Sequence, residues 1–320
     1  MKLLPAGPAH EREGGRGREG MAAAGFLLAV ALGLAAAPSP AGAGTVVVLR
    51  SRALGVYDSL AAGFRASYRG SVADLVLGEA DDPALGSRIA ALHPDVVVAV
   101  GLRAALFTRD QLPRTPLVFC AVQQPERRGL QGVWVTGVSG DVPPETELAA
   151  LKTAAPDVRR VVLFYGRGSG APFARAARAA AASLELELIE VPLADLSELA
   201  GAVRGATEGA DALWLPPDPV VAAPEAFRFL LKLSLDRRIP LLTFSDALVR
   251  AGALAAACPD FNVVGEQLAE IVRRIQAGER PGDIPVSRAR RVRWWFNRST
   301  ARALGRELPL VAVKGGEVVP

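Results

Sequence analysis

From Thr45 onward the chain alternates short apolar runs with Ala- and Leu-rich amphipathic stretches, and that alternation narrows the possible folds more than any other feature. The runs at 45–50 (TVVVLR), 72–77, 96–100 (VVVAV), 117–121 (LVFCA), 161–165 (VVLFY), 186–191, 212–215 (ALWL), 241–244 and 253–257 predict strands. Runs unbroken by polar residues suit parallel strands covered on both faces. Helical stretches are expected between them at 57–69, 83–92, 102–110, 144–154, 171–183, 196–208, 223–236 and 261–277. Repeated strand–helix alternation predicts a doubly wound α/β fold. It comes in two blocks, parted by Thr136-Gly-Val-Ser-Gly-Asp141 and Pro143-Pro144, a segment that reads as a crossover between lobes. No short-period repeat is present, which excludes a solenoid.

The first 43 residues read as a separate segment. Residues 22–37 (AAAGFLLAVALGLAAA) are apolar and uncharged, but shorter than the roughly 20 residues of a spanning helix. Pro38-Ser-Pro40 and Ala41-Gly-Ala43 follow, which together predict a secretory signal peptide over 1–43 with a small-x-small cleavage site. A retained N-terminal anchor is the alternative. No Cys near the site is available to carry a lipid. The stretch before Met21 is either an unusual leader or precedes the true start. The expected location of the mature chain is therefore the periplasm.

Composition removes several function classes. From Gly44 the chain holds 33 Lys+Arg (37 less Lys2, Arg12, Arg16 and Arg18) and 30 Asp+Glu (33 less Glu11, Glu13 and Glu19). A net charge of about +3 is too small for a nucleic-acid footprint. The excess lies in 286–320, with eight Arg/Lys against two Glu. That tail reads as a solvated basic face, or else as a contact for a membrane partner. The one histidine beyond residue 43, His93, leaves no second His for a His-rich metal site. In Leu92-His93-Pro94 it reads as the cap ending a helix rather than a catalytic base. Neither G-x-S-x-G nor H-E-x-x-H occurs. Cys120 and Cys258 are expected as two separate buried thiols.

One motif points toward an enzyme. After the strand ending at Tyr165, Gly166, Gly168 and Ala171 fit the G-x-G-x-x-G/A dinucleotide fingerprint, and Glu190 closes the next strand. The motif sits mid-chain, however, after a full α/β block, and no His or Lys partner for acid–base chemistry accompanies it. A tight β–α turn that needs glycine explains it equally well. No cofactor is expected.

Pro94–Gly101, Pro116–Pro125, Thr136–Val138, Ala212–Asp218, Ala251–Ala255 and Gly278–Val286, in order over about 45–310, resemble blocks of the ABC transporter substrate-binding protein family whose better-known members bind tryptophan and related amino acids. Pro94-Asp-Val-Val-Val-Ala-Val-Gly101 resembles its "PDVIVAVGT". Pro116-Leu-Val-Phe-Cys-Ala-Val-Gln-Gln-Pro125 with Gly129-Leu130 resembles "PIVFAAVSDP…GL". Thr136-Gly-Val138, Ala212-Leu-Trp-Leu-Pro-Pro-Asp218 and Ala251-Gly-Ala-Leu-Ala255 are similar to "VTGV", "DALFVPPD" and "AGALAS". Gly278-Glu-Arg-Pro-Gly-Asp-Ile-Pro-Val286 is similar to "GKKPADIPV". The closing "N…A..LG…P" has its counterpart in Asn297, Leu304-Gly305 and Leu308-Pro309.

The resemblance implies a type I periplasmic-binding-protein fold, with two Rossmann-like lobes of parallel sheet joined by hinge strands. Lobe one is expected over 45–137 plus 252–285, and lobe two over 140–250 plus 286–320. The chain departs from the family at Gln123-Gln124-Pro125, where the family has an acidic "SDP". It departs again at Gly166-Arg-Gly168-Ser169 and at Ser51–Tyr57.

Ligands of open parallel sheets bind beyond the carboxyl ends of the strands. The loops there nominate Ser51, Tyr57, Gly101, Leu102, Arg103, Val122, Gln123, Gln124, Tyr165, Gly168, Ser169, Pro217, Asp218, Phe244, Ser245 and Asp246. Backbone N–H groups at Gly101 and Gly168 suit a carboxylate. Asp218 and Asp246 suit an ammonium, though each is equally suited to cap a helix. Tyr57, Tyr165 and Phe244 suit an apolar body, although the last two also suit the core. Arg103 is alternatively a solvated helix residue. The expected function is solute capture for an ABC-type importer, without catalysis. The expected partners are a small polar solute, with an amino acid as one candidate, and the permease subunits, and the chain is expected to be a monomer. A receptor of the same fold feeding a membrane signalling partner is the second reading, and an NAD-binding enzyme the third.

Overall fold

A computed structural model of the chain describes residues 44–53, 55–78 and 82–320, so the signal peptide expected over 1–43 lies outside the described residues. The first block runs β1 (Val46–Arg50), α1 (Gly55–Ser67), β2 (Val72–Val76), α2 (Pro83–Ala91), β3 (Val96–Val100), α3 (Leu102–Gln111), β4 (Leu117–Val122) and β5 (Val135–Ser139). Its five strands are parallel and lie in the order β5-β4-β3-β1-β2. β1 is an inner strand, and Val46–Arg50 pair with Val72–Val76 of the edge strand β2 on one side and Val96–Val100 on the other.

The second block runs α4 (Pro144–Ala154), β6 (Arg160–Gly166), α5 (Ala171–Ser183), β7 (Glu187–Leu193), α6 (Leu199–Ala206), β8 (Ala212–Trp214), α7 (Pro224–Arg237), β9 (Leu241–Thr243), α8 (Asp246–Arg250) and β10 (Ala255–Pro259). These strands are also parallel, in the order β10-β9-β8-β6-β7. The chain then crosses back. α9 (Phe261–Gln276) packs on α1, and β11 (Ser287–Arg288) pairs with β5. A last crossing brings β12 (Val292–Asn297) antiparallel to β10, followed by α10 (Arg298–Ala303), α11 (Leu310–Gly315) and β13 (Glu317–Val319) at the edge.

The valine runs follow from this layering. Successive strand residues face opposite sides of a sheet, and helices cover both sides. Val46, Val48, Val96 and Val98 meet Leu60, Phe64, Val264 and Leu268 beneath α1 and α9. Val47, Leu49, Val97 and Ala99 meet Leu85, Ile89, Ala104 and Ala105 beneath α2 and α3. The second sheet repeats the scheme, with Val161 and Leu163 on Leu148, Leu151 and Ala177 on one face. On the other, Val162 and Phe164 meet Phe227 and Leu230.

α1 and α9 approach backbone to backbone. A Cβ on Gly63 would lie 2.2 Å from the Asn262 carbonyl oxygen, and one on Gly265 would lie 2.4 Å from that of Leu60. The contact fixes α9 to the first sheet although the strand before it belongs to the second.

That strand departs from the expected division. The span 252–285 is expected in lobe one, yet β10 pairs with β9 and β12 in the second sheet, and only α9 and the segment after it return to the first. An Ala-rich strand such as AAACP carries no side-chain signal for one sheet over the other. Residues 135–139, which overlap the expected crossover, form β5, an inner strand. Cys120 and Cys258 are both free and buried, one in each sheet. His93 takes φ +45° just past α2, and its N–H donates to the Ala90 carbonyl at 2.9 Å, the geometry of a helix end. Among the described residues no helix is long and apolar enough to cross a membrane.

Candidate ligand-binding site

The two sheets belong to one compact unit, and a cavity of about 910 Å³ lies where the carboxyl ends of their strands meet. The first sheet contributes Gly55 and Tyr57 after β1, and Ala121 and Gln123–Arg127 at the end of β4. The second contributes Pro172, Phe173 and Ala176 of α5, Pro217 after β8, and Phe244–Ala247 after β9. All three crossings between the sheets line it as well, through 139–144, 257–259 with Phe261, and 286–288.

The rim at β4 is held in an unusual backbone shape. The β4–β5 register slips between Cys120 and Val122, and Ala121 and Gln124 adopt φ of +53° and +48°. Non-glycine residues enter this region only when surrounding structure compels it. At Gln124, Asp141 on the first crossing supplies that constraint. Both of its carboxylate oxygens accept from the Gln124 N–H at 3.1 Å, and Ser139 Oγ donates to its Oδ2 at 2.6 Å. Across the cavity, the Arg127 guanidinium donates to the Ser169 carbonyl at 2.9 Å, a direct bond between the two lobes.

The walls combine rings and charges. Tyr57, Phe173, Phe244 and Phe261 are aromatic, and Phe173 packs edge-on against the buried Trp214 with centroids 5.3 Å apart. Glu126, Asp141, Glu147 and Asp246 are acidic, and Arg127 and Arg288 basic. Glu147 is 2% exposed, and its Oε2 accepts from Trp214 Nε1 at 2.8 Å. Burial pushes its carboxyl up to about 8, against the opposing pull of the Trp214 hydrogen bond and with a smaller push from Asp141. Burial likewise pushes up the Cys258 thiol on the same wall. Such a wall can hold a molecule with an apolar ring and charges of both signs. Among the described residues no group of three or more His, Cys, Asp or Glu is arranged to hold a metal ion.

Of the residues nominated from sequence, Tyr57, Gln123, Gln124, Pro217, Phe244, Ser245 and Asp246 line the cavity. The others do not. Ser51 is buried and its Oγ accepts from the Ala104 N–H at 2.9 Å, capping α3 from the end of β1. Gly101 begins that helix at φ +88°, where a Cβ would lie 2.7 Å from Ser51 Oγ and 2.8 Å from Tyr57 Oη. The turn nominated for a ligand carboxylate is thus closed by the protein's own side chains. Leu102 packs against the core of the first sheet, Val122 is buried in it, and Arg103 donates to the Gly78 carbonyl at 3.2 Å.

The glycine motif is also filled from within. Asp218 is buried, and its Oδ1 accepts from the Gly166 and Val220 N–H groups, both at 2.9 Å, while Ser169 Oγ donates to Oδ2 at 2.7 Å. Its carboxylate occupies the donors that a dinucleotide phosphate would need. Gly168 is exposed, with nothing within 4 Å of a Cβ placed there. Tyr165 is buried and its hydroxyl donates to Glu190 Oε2 at 3.0 Å, while Arg178 pairs with Glu190 Oε1 at 2.6 Å. Glu190 therefore serves its own lobe rather than a ribose.

Sequence reasoning misses Glu147, Phe173 and Arg127. The first has a readable signal, because Pro144, Glu147, Leu148, Leu151 and Ala154 share one buried helical stripe, where a carboxyl is out of place. Phe173 looks like an ordinary core residue, and Arg127 is one exposed cation among many.

Comparison with known proteins agrees with this architecture. The model of the family described as ABC transporter substrate binding protein matches residues 78–313, more than half of the chain. A tyrosine-binding protein from Clostridioides difficile is 22% identical over 228 residues, covering 69% of this chain and 66% of its own length, just under two thirds. A Streptococcus pneumonia ABC domain in complex with L-Trp superposes with a TM-score of 0.66 at 21% identity, covering 86% of this chain and 99% of the other. A ligand-free, open substrate binding protein with adhesive properties from Clostridium difficile superposes with a TM-score of 0.71 at 20% identity, over 86% and 99%. With its two sheets, its three crossings and this match, the chain belongs to the ABC transporter substrate binding protein family.

Proposed function

We propose that this chain is the exported solute-capturing subunit of an ABC-type importer, and that its solute is an amino acid with an aromatic side chain. The observation that carries the reading is the cavity, in which four aromatic rings share walls with acids and arginines contributed by both sheets. A zwitterion with a flat apolar body needs all three. The volume of about 910 Å³ falls in the range of small-molecule sites. The tyrosine-binding relative and the L-Trp complex support the ligand class. The lobes that close on the solute are 45–139 with 261–288, and 144–259 with 292–320, and the bond from Arg127 to Ser169 links them across the cavity. The signal segment at 1–43 delivers the chain to the periplasm, where permease subunits receive the loaded form.

The test is a thermal-shift screen of the twenty amino acids on protein secreted by a bacterial host, because a ligand that binds only the folded state raises the melting temperature. Tyrosine, tryptophan or phenylalanine should give the largest rise. A panel in which none of the three raises it, while another solute class does, would replace the proposed ligand.

A further inference from the structure

Glu147 lies on the buried stripe of α4, is 2% exposed, and yet lines the cavity. Trp214 Nε1 occupies Oε2. No donor among the described residues reaches Oε1, and none of their buried side-chain oxygens is left unpaired, so Oε1 opens onto the cavity. Two of the three other acids on the wall are engaged, and the third, Glu126, is exposed rather than buried. Asp141 is tied to Gln124 and Ser139, and Asp246 has the Arg250 guanidinium at 3.7 Å. Glu147 enters no ion pair with the described residues. A buried carboxyl without a cation is costly to ionise, and it becomes favourable once a cation arrives.

We infer that Glu147 is the specificity-determining residue for a cationic group of the ligand, the ammonium of an amino acid, received at Oε1 while Trp214 fixes the carboxyl from behind. This rests on the amino-acid reading above and names the contact that enforces it. Phe173, packed on the same Trp214, sets an aromatic face beside that contact.

Proton release follows. With its carboxyl pushed up to about 8 by burial, free Glu147 holds its proton at neutral pH. An ammonium favours the ionised form, so the proton on Oε1 leaves to solvent as the ion pair forms. Affinity then falls roughly tenfold per unit as pH drops below about 8 toward the bound-state value. Acids sharing the cavity with Glu147 are Glu126, Asp141 and Asp246, with the neutral Tyr57 and Cys258, and Arg127 and Arg288 are its cations. On the elements packed against α4, the cations Arg175, Arg178, Arg293 and Lys314 lie outside the cavity lining.

The experiment is calorimetry on the exported full chain with L-tyrosine and L-tryptophan. Their deaminated counterparts, 3-(4-hydroxyphenyl)propanoate and indole-3-propanoate, are titrated in parallel. Wild type should prefer the amino acids by about a hundredfold or more. At pH 7 it should release close to one proton per ligand, read from buffers of different ionisation heat. Glu147→Gln keeps an acceptor for Trp214 and should lose both the preference and the proton release. Equal binding of the deaminated acids by wild type, a comparison that needs no variant, overturns the inference, as does wild-type affinity in Glu147→Gln. If wild type binds neither amino acid, the amino-acid reading itself falls and this inference with it.

Discussion

Asp218 accepts from two backbone N–H groups and one hydroxyl, so its carboxylate closes the β6–α5 turn. Asp218→Asn turns an amide NH2 toward some of those donors. It should cost about 2 kcal/mol of stability and leave ligand affinity within a few fold, measured by urea unfolding and calorimetry on the same protein. Gly168→Val, in open space, should change neither. Lost affinity with an unchanged unfolding midpoint in Asp218→Asn would return that residue to the binding site. At this scale the sequence is legible in type but not in partner. That an acid at the end of a strand meets donors is readable. That two of those donors, Gly166 and Ser169, lie about fifty residues earlier depends on β6 and β8 lying side by side. Glu147 is the opposite case, a residue marked in the sequence itself by its position on an apolar helical stripe.

Among the elements, the contact between α1 and α9 does the most to decide connectivity. It brings the chain back to the first sheet after β10 and depends on Gly63 and Gly265, where any side chain meets backbone of the facing helix. Gly265→Val should destabilise the fold by about 3 kcal/mol or more, seen as an earlier urea midpoint, and a midpoint unchanged from wild type would mean that the helices can separate at no cost. Long runs make their elements plain. VVVLR and VVVAV are strands because valine alternating between two helix-covered faces leaves no side exposed. The three-residue β8 and β9 are also visible, as apolar runs between helices. The tail is not. β11 to β13 are edge or near-edge strands, and Arg288 of β11 and Arg293 of β12 are among the exposed basic residues that read as a solvated face. Arg291 and Arg293 reach Asp260 at 2.8 and 3.3 Å, joining the second and third crossings through a charge pattern with no sequence period.

Across the whole molecule, two mostly parallel sheets present the carboxyl ends of their parallel strands to one cavity, and each of the three crossings passes along its wall. A ligand there would touch both lobes and the segments that join them. The two-block alternation and the order of family-like segments make this architecture legible. The walls are only half legible, because the crossings and α5 supply lining that loops at strand ends do not announce. The most direct measurement is a crystal structure of the chain grown with saturating L-tyrosine or L-tryptophan. The predicted result is a single ligand in the interlobe cavity, its ring among Tyr57, Phe173, Phe244 and Phe261 and its ammonium at Glu147. A ligand bound elsewhere, or a cavity that stays empty at saturation, would contradict it.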